Sequence, residues 1–298
     1  MAARFLYTVE EAGRLGDFLR RLGYPQGLLA SLRQGDWVRV DGAPRRMIEP
    51  VFPGQQVEVV TADRPCPLTP NGDLPVAVLY EDDWLWLADK SDDMLMHPAA
   101  KGFDDSLGNY FAACHPQAAF RPIGRLDRHT TGLCLAAKDR LTAALLTARP
   151  PQKVYYALAQ GFFAEKQGRI DAPLLRCPGP QITRRVDSRG QASVTRYQVL
   201  AQGDSLSLLR LILETGRTHQ IRAHMQYAGH PLAGDRLYGG DCRLIGRQAL
   251  HVGRLSLRHP HTGRGLCFTR ALPADMRRAM AADNLFSPEA ETDAPEPF

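Results

Sequence analysis

Several things are missing from this chain, and each absence excludes a class of protein. No stretch approaches the ~18 consecutive apolar residues of a membrane-crossing helix. The opening residues, Met1 to Glu10, have neither the charged head nor the apolar run of a secretory signal, so a cytoplasmic protein is expected. None of the six cysteines (Cys66, Cys114, Cys134, Cys177, Cys242, Cys267) falls in a C-x-x-C pair, and a chain of this size needs no staples, so reduced thiols are expected. His219 and His224 are five apart, off the i, i+4 spacing of a helical zinc pair, and His259 and His261 flank a proline. There is no G-x-G-x-x-G and no P-loop. Neither a metal nor a cofactor is expected.

Lysine is scarce as well. Among 37 basic residues only Lys90, Lys101, Lys138, Lys153 and Lys166 are lysines, so the positive charge is almost all arginine, the better fork for phosphate oxygens. The formal charge is +5, yet Asp283, Glu289, Glu291, Asp293 and Glu296 close the chain with no base among them, which leaves the body before Asp283 at +10. Such a body is compatible with an RNA partner, although a surplus of surface arginine is by itself often only a solvated face.

The 298 residues, 44% hydrophobic and 23% charged, suffice for one large core plus a small module. Residues 1–62 read as a small α/β module. Helices are expected around Arg14 to Leu22 and Gln26 to Gln34, then a strand at Trp37 to Val40 entering a hairpin turn at Asp41-Gly42, and a closing strand over Gly54 to Val60. Residues 63–75 hold Pro65, Pro67, Pro70, Gly72 and Pro75, a density that excludes a continuous helix or central strand and marks a linker.

A main domain is expected over 76–275, α+β with a largely antiparallel sheet. It opens with a hairpin at Ala77 to Asp89, continues through strands at Leu206 to Leu213 and Leu250 to Leu257, and carries helices at about Leu141 to Ala148 and Arg217 to Ala228. The second helix would open at Thr215 or Thr218 and stop at Gly229. Residues 276–298 read as an acidic tail without fixed structure.

The most informative run is Arg121-Pro122-Ile123-Gly124-Arg125-Leu126-Asp127-Arg128-His129-Thr130-Thr131-Gly132-Leu133-Cys134-Leu135. A polar loop holding an aspartate leads straight into an apolar strand, which would place a carboxylate at a strand entrance against a wall of core. A lone loop aspartate ordinarily just accepts backbone N–H bonds in a turn.

This run, however, resembles the H-R-L-D-x-x-T-S-G signature of the RluA-type RNA pseudouridine synthases. Arg125, Leu126, Asp127, Thr130 and Gly132 match, while Gly124 stands for the usual histidine and Thr131 for the serine. Further stretches follow in the family's order: His97-Pro98 with Ser106 to Asn109, Lys153 to Ala157 with Gly161, Thr215 to Met225, Gly229 to Asp235 with Tyr238-Gly239, and Ala249-Leu250-His251 through Gly263. The likeness spans about residues 76 to 273. Arg14 to Leu19, Val38 to Gly42 and Pro53 to Val57 resemble the S-four-like RNA-binding domain, whose basic helix pair would put Arg14, Arg20, Arg21 and Arg33 toward RNA, with Glu10, Glu11, Asp17 and Asp36 nearly offsetting them.

The resemblance implies a pseudouridine synthase fold and isomerisation of a uridine in structured RNA. It assigns catalysis to Asp127, Tyr155 and Arg222, and substrate contact to Arg125, Arg217, Gln220 and His97. Each of the three makes chemical sense. A carboxylate must be ionised to act as nucleophile or base, a guanidinium favours that form, and a tyrosine face can stack on a uracil drawn from its helix. Tyr156 is expected in the core, and His219 and His224 as orienting or packing residues.

The reaction is redox-neutral, in keeping with the missing cofactor motifs. Ribosomal RNA is the expected partner, since an appended RNA-binding module adds affinity for an extended substrate; a monomer with no membrane contact is expected. The alternatives are a transfer RNA-directed synthase, a catalytically silent RNA-binding protein, and a glycosidase with paired carboxylates. For the last, no second acid stands out, and Asp235 reads as a structural turn residue.

Overall fold

The computed structural model describes residues 2–32, 37–62, 66–100, 102–179 and 182–287. Arg33, Asp36, the expected end of the second helix at Gln34 and the acidic stretch beyond Ser287 lie outside them.

The first module is a four-stranded antiparallel sheet in the order Ala2–Thr8, Gln56–Ala62, Val38–Val40, Ala43–Pro44, packed on helices Leu15–Arg21 and Gln26–Leu32. Asp41 and Gly42 both have positive φ (52° and 80°), the backbone a tight two-residue hairpin demands and the reason for an Asp-Gly pair there. The opening strand Ala2–Thr8 was not expected. Phe5 is buried beside an exposed Leu6, so Phe-Leu-Tyr offers contiguous apolar residues instead of a clean alternation.

The main domain is built on a ten-stranded sheet. Its pairings are antiparallel except one: Thr131–Ala137 runs parallel to Leu250–Arg258, pairing Thr131 with His251 and Gly132 with Val252. Gly132 has φ +106°, and a Cβ there would stand 2.3 Å from the Val252 carbonyl oxygen. Only glycine admits so close an approach of two backbones. The strand that leaves the aspartate loop is thereby locked into the middle of the sheet.

Both faces of the sheet are covered. On strand Gln152–Gln160, Tyr155, Ala157 and Ala159 join the main core with Trp86, Phe111, Leu133 and Leu135, while Leu158 and the partly buried Tyr156 face a second cluster. Met276, Ala279 and Met280 of helix Ala274–Ala282 complete that cluster. The expectation of a tail from residue 276 is therefore corrected. The apolar side of this helix covers the sheet's back, and the buried Asp283 accepts hydrogen bonds from the backbone N–H groups of Ser205 and Leu206.

The proline-rich stretch is not a free tether. Cys66 N–H donates to the Pro116 carbonyl, Asn71 N–H to that of Asn109, and the Asn109 side chain to Thr69, so residues 66–76 lie strapped along helix Leu107–Cys114. The module is likewise docked. Leu141 is fully buried within the module's own apolar cluster, and the His261 ring is stacked between Phe5 (5.2 Å) and Trp84 (5.0 Å). Among the described residues no helix is long and apolar enough to cross a membrane.

Candidate active site

A cleft of about 1020 Å³ opens where the aspartate loop, the strand Gln152–Gln160, the hairpin Leu174–Arg176 with Arg184–Val186, and the helix Gln220–Tyr227 converge. Its rim carries exposed arginines at 125, 128, 176, 217 and 236. The acidic side chains on its lining are Asp127, Asp235 and Glu214.

Asp127 sits at a turn closed by the Thr130 N–H donating to its carbonyl, with its side chain 23% exposed. Arg222 donates from Nη1 to Asp127 Oδ2 at 3.1 Å. The rest of the Arg222 fork is taken by Asp235, with Nε to Oδ2 at 2.7 Å and Nη2 to Oδ1 at 2.8 Å. Asp235 is 1% exposed. A bidentate pair of this kind fixes a guanidinium in plane and direction, so Asp235 aims Arg222. The sequence reading found no second carboxylate near the Arg222 helix; Asp235 is that carboxylate. Buried and engaged by arginine at both oxygens, it is not placed to act on a sugar, and Glu214, the other acid on the lining, is taken by Arg196 and Arg169, so neither is set as the second acid of a glycosidase.

Two buried cations hold the loop from below. Lys90 Nζ donates to the carbonyls of Ser91 (2.9 Å), Met94 (2.7 Å) and Arg128 (2.7 Å). Arg247 Nη1 donates to the His129 carbonyl at 3.0 Å, while its Nε and Nη2 grip Asp275. The carbonyls of the two residues after Asp127 are thus each fixed by a cation. Burial pushes the Lys90 amine down to about 8. Sequence reasoning missed both residues, although a charged side chain at the end of the apolar run Leu85 to Ala88 was a visible signal for Lys90.

Tyr155 lines the cleft and is buried, and its hydroxyl is pushed above the usual phenol range first by burial and then by the Cys134 and Asp127 charges. Arg125 reaches Thr218 at 3.4 Å from an exposed position. His97 packs edge-on to Phe120 at the cleft mouth, where partial burial and then the Arg125 charge lower its pKa.

Arg217 is exposed, with Nε on the Ala192 carbonyl. Gln220 differs from expectation. Its amide donates to Val194 O and Thr195 Oγ1 and accepts from Thr215 Oγ1 and the Arg217 N–H, and it is 2% exposed. With every partner already within the protein, it braces the loop before the helix.

The expected opening of that helix is also corrected. The capping position is held by His219, in the left-handed region at φ 56°, with no side-chain cap bond from Thr215 or Thr218. This places His219 Nε2 3.7 Å from Asp127 Oδ2 and its Nδ1 3.1 Å from the Tyr238 hydroxyl. His224 is buried between Thr195 and the Ala172 carbonyl and takes no part in the cleft.

Residues 85–227 match the family described as RNA pseudouridylate synthase. The uncharacterized RNA pseudouridine synthase YjbO of Bacillus subtilis is 36% identical over 241 residues, covering 78% of this chain and 82% of that one. The chain belongs to the RluA-type RNA pseudouridine synthases. A ribosomal large subunit pseudouridine synthase D from Nitrosomonas europaea is 35% identical over 82% of this chain and 76% of its own. The human RNA pseudouridylate synthase domain containing 4 shares the fold, with TM-score 0.57 at 24% identity over 71% of this chain and 94% of its own.

Proposed function

We propose that this RNA pseudouridine synthase acts on large-subunit ribosomal RNA and that Asp127 is its catalytic carboxylate. The observation that carries the reading is the Asp127 side chain, partly open to an arginine-rimmed cleft and bonded to an arginine that a sealed carboxylate holds in place. The guanidinium sets a positive charge directly beside the carboxylate. A nearly isolated loop aspartate would need no such support.

In the reaction the bond between uracil N1 and the ribose anomeric carbon breaks, the ring turns, and C5 joins that carbon. The C5 proton leaves and N1 gains one, so no electrons are exchanged. Whether Asp127 adds to the sugar, takes a ribose proton or adds to the base, the step begins from the carboxylate form. Tyr155 offers its ring face to the target base. Arg125, Arg217 and His97, at the mouth, meet the RNA around it. The first module, with Arg14, Arg20 and Arg21 exposed on or beside its first helix, is an S-four-like RNA-binding domain. The enzyme works as a monomer.

The ribosomal target rests on the synthase D relatives, whose names state that substrate, and on the appended module. Mapping pseudouridine across total cellular RNA with and without this protein tests it. Loss confined to large-subunit ribosomal RNA is expected, and loss confined to transfer RNA overturns the assignment.

A further inference from the structure

His219 is not needed by the reaction as written, yet its placement is costly. It adopts the left-handed backbone region, uncommon for a side chain with a Cβ, at the entrance of helix Gln220–Tyr227. The strain points its ring between Asp127 Oδ2, 3.7 Å from Nε2, and the Tyr238 hydroxyl, 3.1 Å from Nδ1.

Tyr238 is itself 2% exposed, and its oxygen accepts the Arg184 backbone N–H at 2.9 Å. Its ring lies 5.0 Å from the Arg222 guanidinium carbon. Burial pushes the phenol up to about 12, so the hydroxyl keeps its hydrogen. Among the described residues that hydrogen has one evident acceptor, His219 Nδ1. If Nδ1 instead carried the imidazole hydrogen, the buried hydroxyl would be left without an acceptor and the bare Nε2 lone pair would face a carboxylate. Both are unfavourable.

We infer that Tyr238 is a positioning residue that locks His219 as the neutral tautomer with its hydrogen on Nε2, making His219 a second donor aimed at Asp127 beside Arg222. The hydrogen-bond chain begins at the Arg184 peptide, on one strand of the arginine-bearing hairpin that walls the cleft. The groups facing His219 are Asp127 from the loop, Arg222 on its own helix, Asp235 and Tyr238 from the following turn, and Arg184 from the hairpin. Burial, the largest of these influences, lowers its pKa and keeps the ring neutral.

This inference rests on the reading of Asp127 as the catalytic carboxylate, and the test separates the two. Ring nitrogen shifts of 15N-histidine in the full chain report the tautomer at pH 7 without reference to activity. Kinetics use an unmodified transcript of large-subunit ribosomal RNA. The parent should show His219 with its hydrogen on Nε2; Tyr238→Phe, which keeps the ring on Arg222, should mix the tautomers and lower kcat about tenfold with KM within about threefold. His219→Ala should lose a similar factor. His219→Gln, whose amide can offer an N–H near the Nε2 position, should return to within about threefold of the parent. In the His219→Gln background, Tyr238→Phe should then cost less than about twofold, an outcome that a purely structural tyrosine would not give.

A hydrogen on Nδ1 in the parent overturns the proposal. So does a Tyr238→Phe protein with unchanged tautomer and kcat. Asp127→Asn in the same assay reads the earlier assignment alone: activity retained there removes the role of Asp127, while the tautomer lock stands or falls on the nitrogen shifts.

Discussion

Arg222 gives two of its donors to Asp235, at 2.7 and 2.8 Å, and one to Asp127, at 3.1 Å. The buried carboxylate is thus the stronger partner and the cleft carboxylate the weaker. Removing Asp235 leaves a guanidinium at 6% exposure facing one partly solvated acid. Asp235→Asn should cost about 3 to 5 kcal/mol of stability, as breaking a buried pair does. It should also lower the single-turnover rate about 10 to 100-fold, since losing the group that orients a functional side chain commonly costs that much. Urea unfolding and pseudouridine formation measure the two effects. Full stability with full rate would show that Asp235 does not aim Arg222. Arg222→Met is the harsher change, because it strands both acids at once.

Asp127→Asn keeps shape and volume and removes the charge. The protein should fold and bind RNA with unchanged salt dependence, yet form no pseudouridine. Rates within about tenfold of the parent would exclude Asp127 as the group that starts the reaction.

Much of this site was legible because its parts are local in sequence. The aspartate run, the Lys153 to Ala157 strand and the Arg222 helix each carry recognisable residue patterns, and the strands Leu206–Leu213 and the hairpin from Ala77 lie where alternation and turn residues put them. What stayed hidden depends on residues far apart in the chain. Asp235 and Arg222 are 13 apart, Lys90 meets Arg128 across 38 residues, and Arg247 meets His129 across 118. No periodicity encodes such pairs. Helix Ala274–Ala282 was read as tail because a flanking acidic, proline-containing stretch masked the Met276, Ala279, Met280 spacing.

The first module's arginines should contribute affinity and leave chemistry alone. Replacing Arg14, Arg20 and Arg21 by Gln should weaken RNA binding and flatten the salt dependence by about 0.7 to 0.9 per lost phosphate contact, with Arg20 contributing least because Asp17 already pairs with it. The single-turnover rate at saturating enzyme should hold. Filter binding across a salt series decides this, and an unchanged slope would assign the module another partner. Point substitutions are the better test here. Deleting residues 1–62 would uncover Leu141, Trp84 and His261 and confound lost RNA contact with lost packing.

Gly132→Ala puts a methyl group 2.3 Å from the Val252 carbonyl oxygen at φ +106°. The strands must part at the sheet's parallel pair, directly above the aspartate loop. A loss of about 3 kcal/mol or more is expected, in the range of other severe backbone conflicts. Denaturant midpoints measure it, and a change under about 0.5 kcal/mol would mean that the sheet can relax there.

His251 gives the fold an acid sensitivity whose sign can be worked out. It pairs with Thr131 in the sheet, its Nδ1 lies 2.8 Å from Thr131 Oγ1, and its Nε2 lies 3.3 Å from the Arg270 carbonyl. Burial, opposed more weakly by that carbonyl, pushes the imidazole down to about 4. The unfolded chain takes up a proton near pH 6.5, whereas the folded one waits until about 4. Across that window the unfolded state binds more protons, so stability falls as pH falls and levels off once both forms are protonated. Between pH 7.5 and 5 the loss from this one group is about 2 kcal/mol. His115, His219, His224 and His261 are shifted in the same direction and steepen the total. The informative quantity is therefore the difference in slope between the parent and His251→Gln, measured by urea unfolding at the two pH values. The variant starts from lower stability, because Thr131 and the Arg270 carbonyl lose a well-fitted partner, but it should lose about 2 kcal/mol less than the parent on acidification. Equal slopes would show that the His251 imidazole takes up its proton over the same pH range in the folded protein as in the unfolded chain.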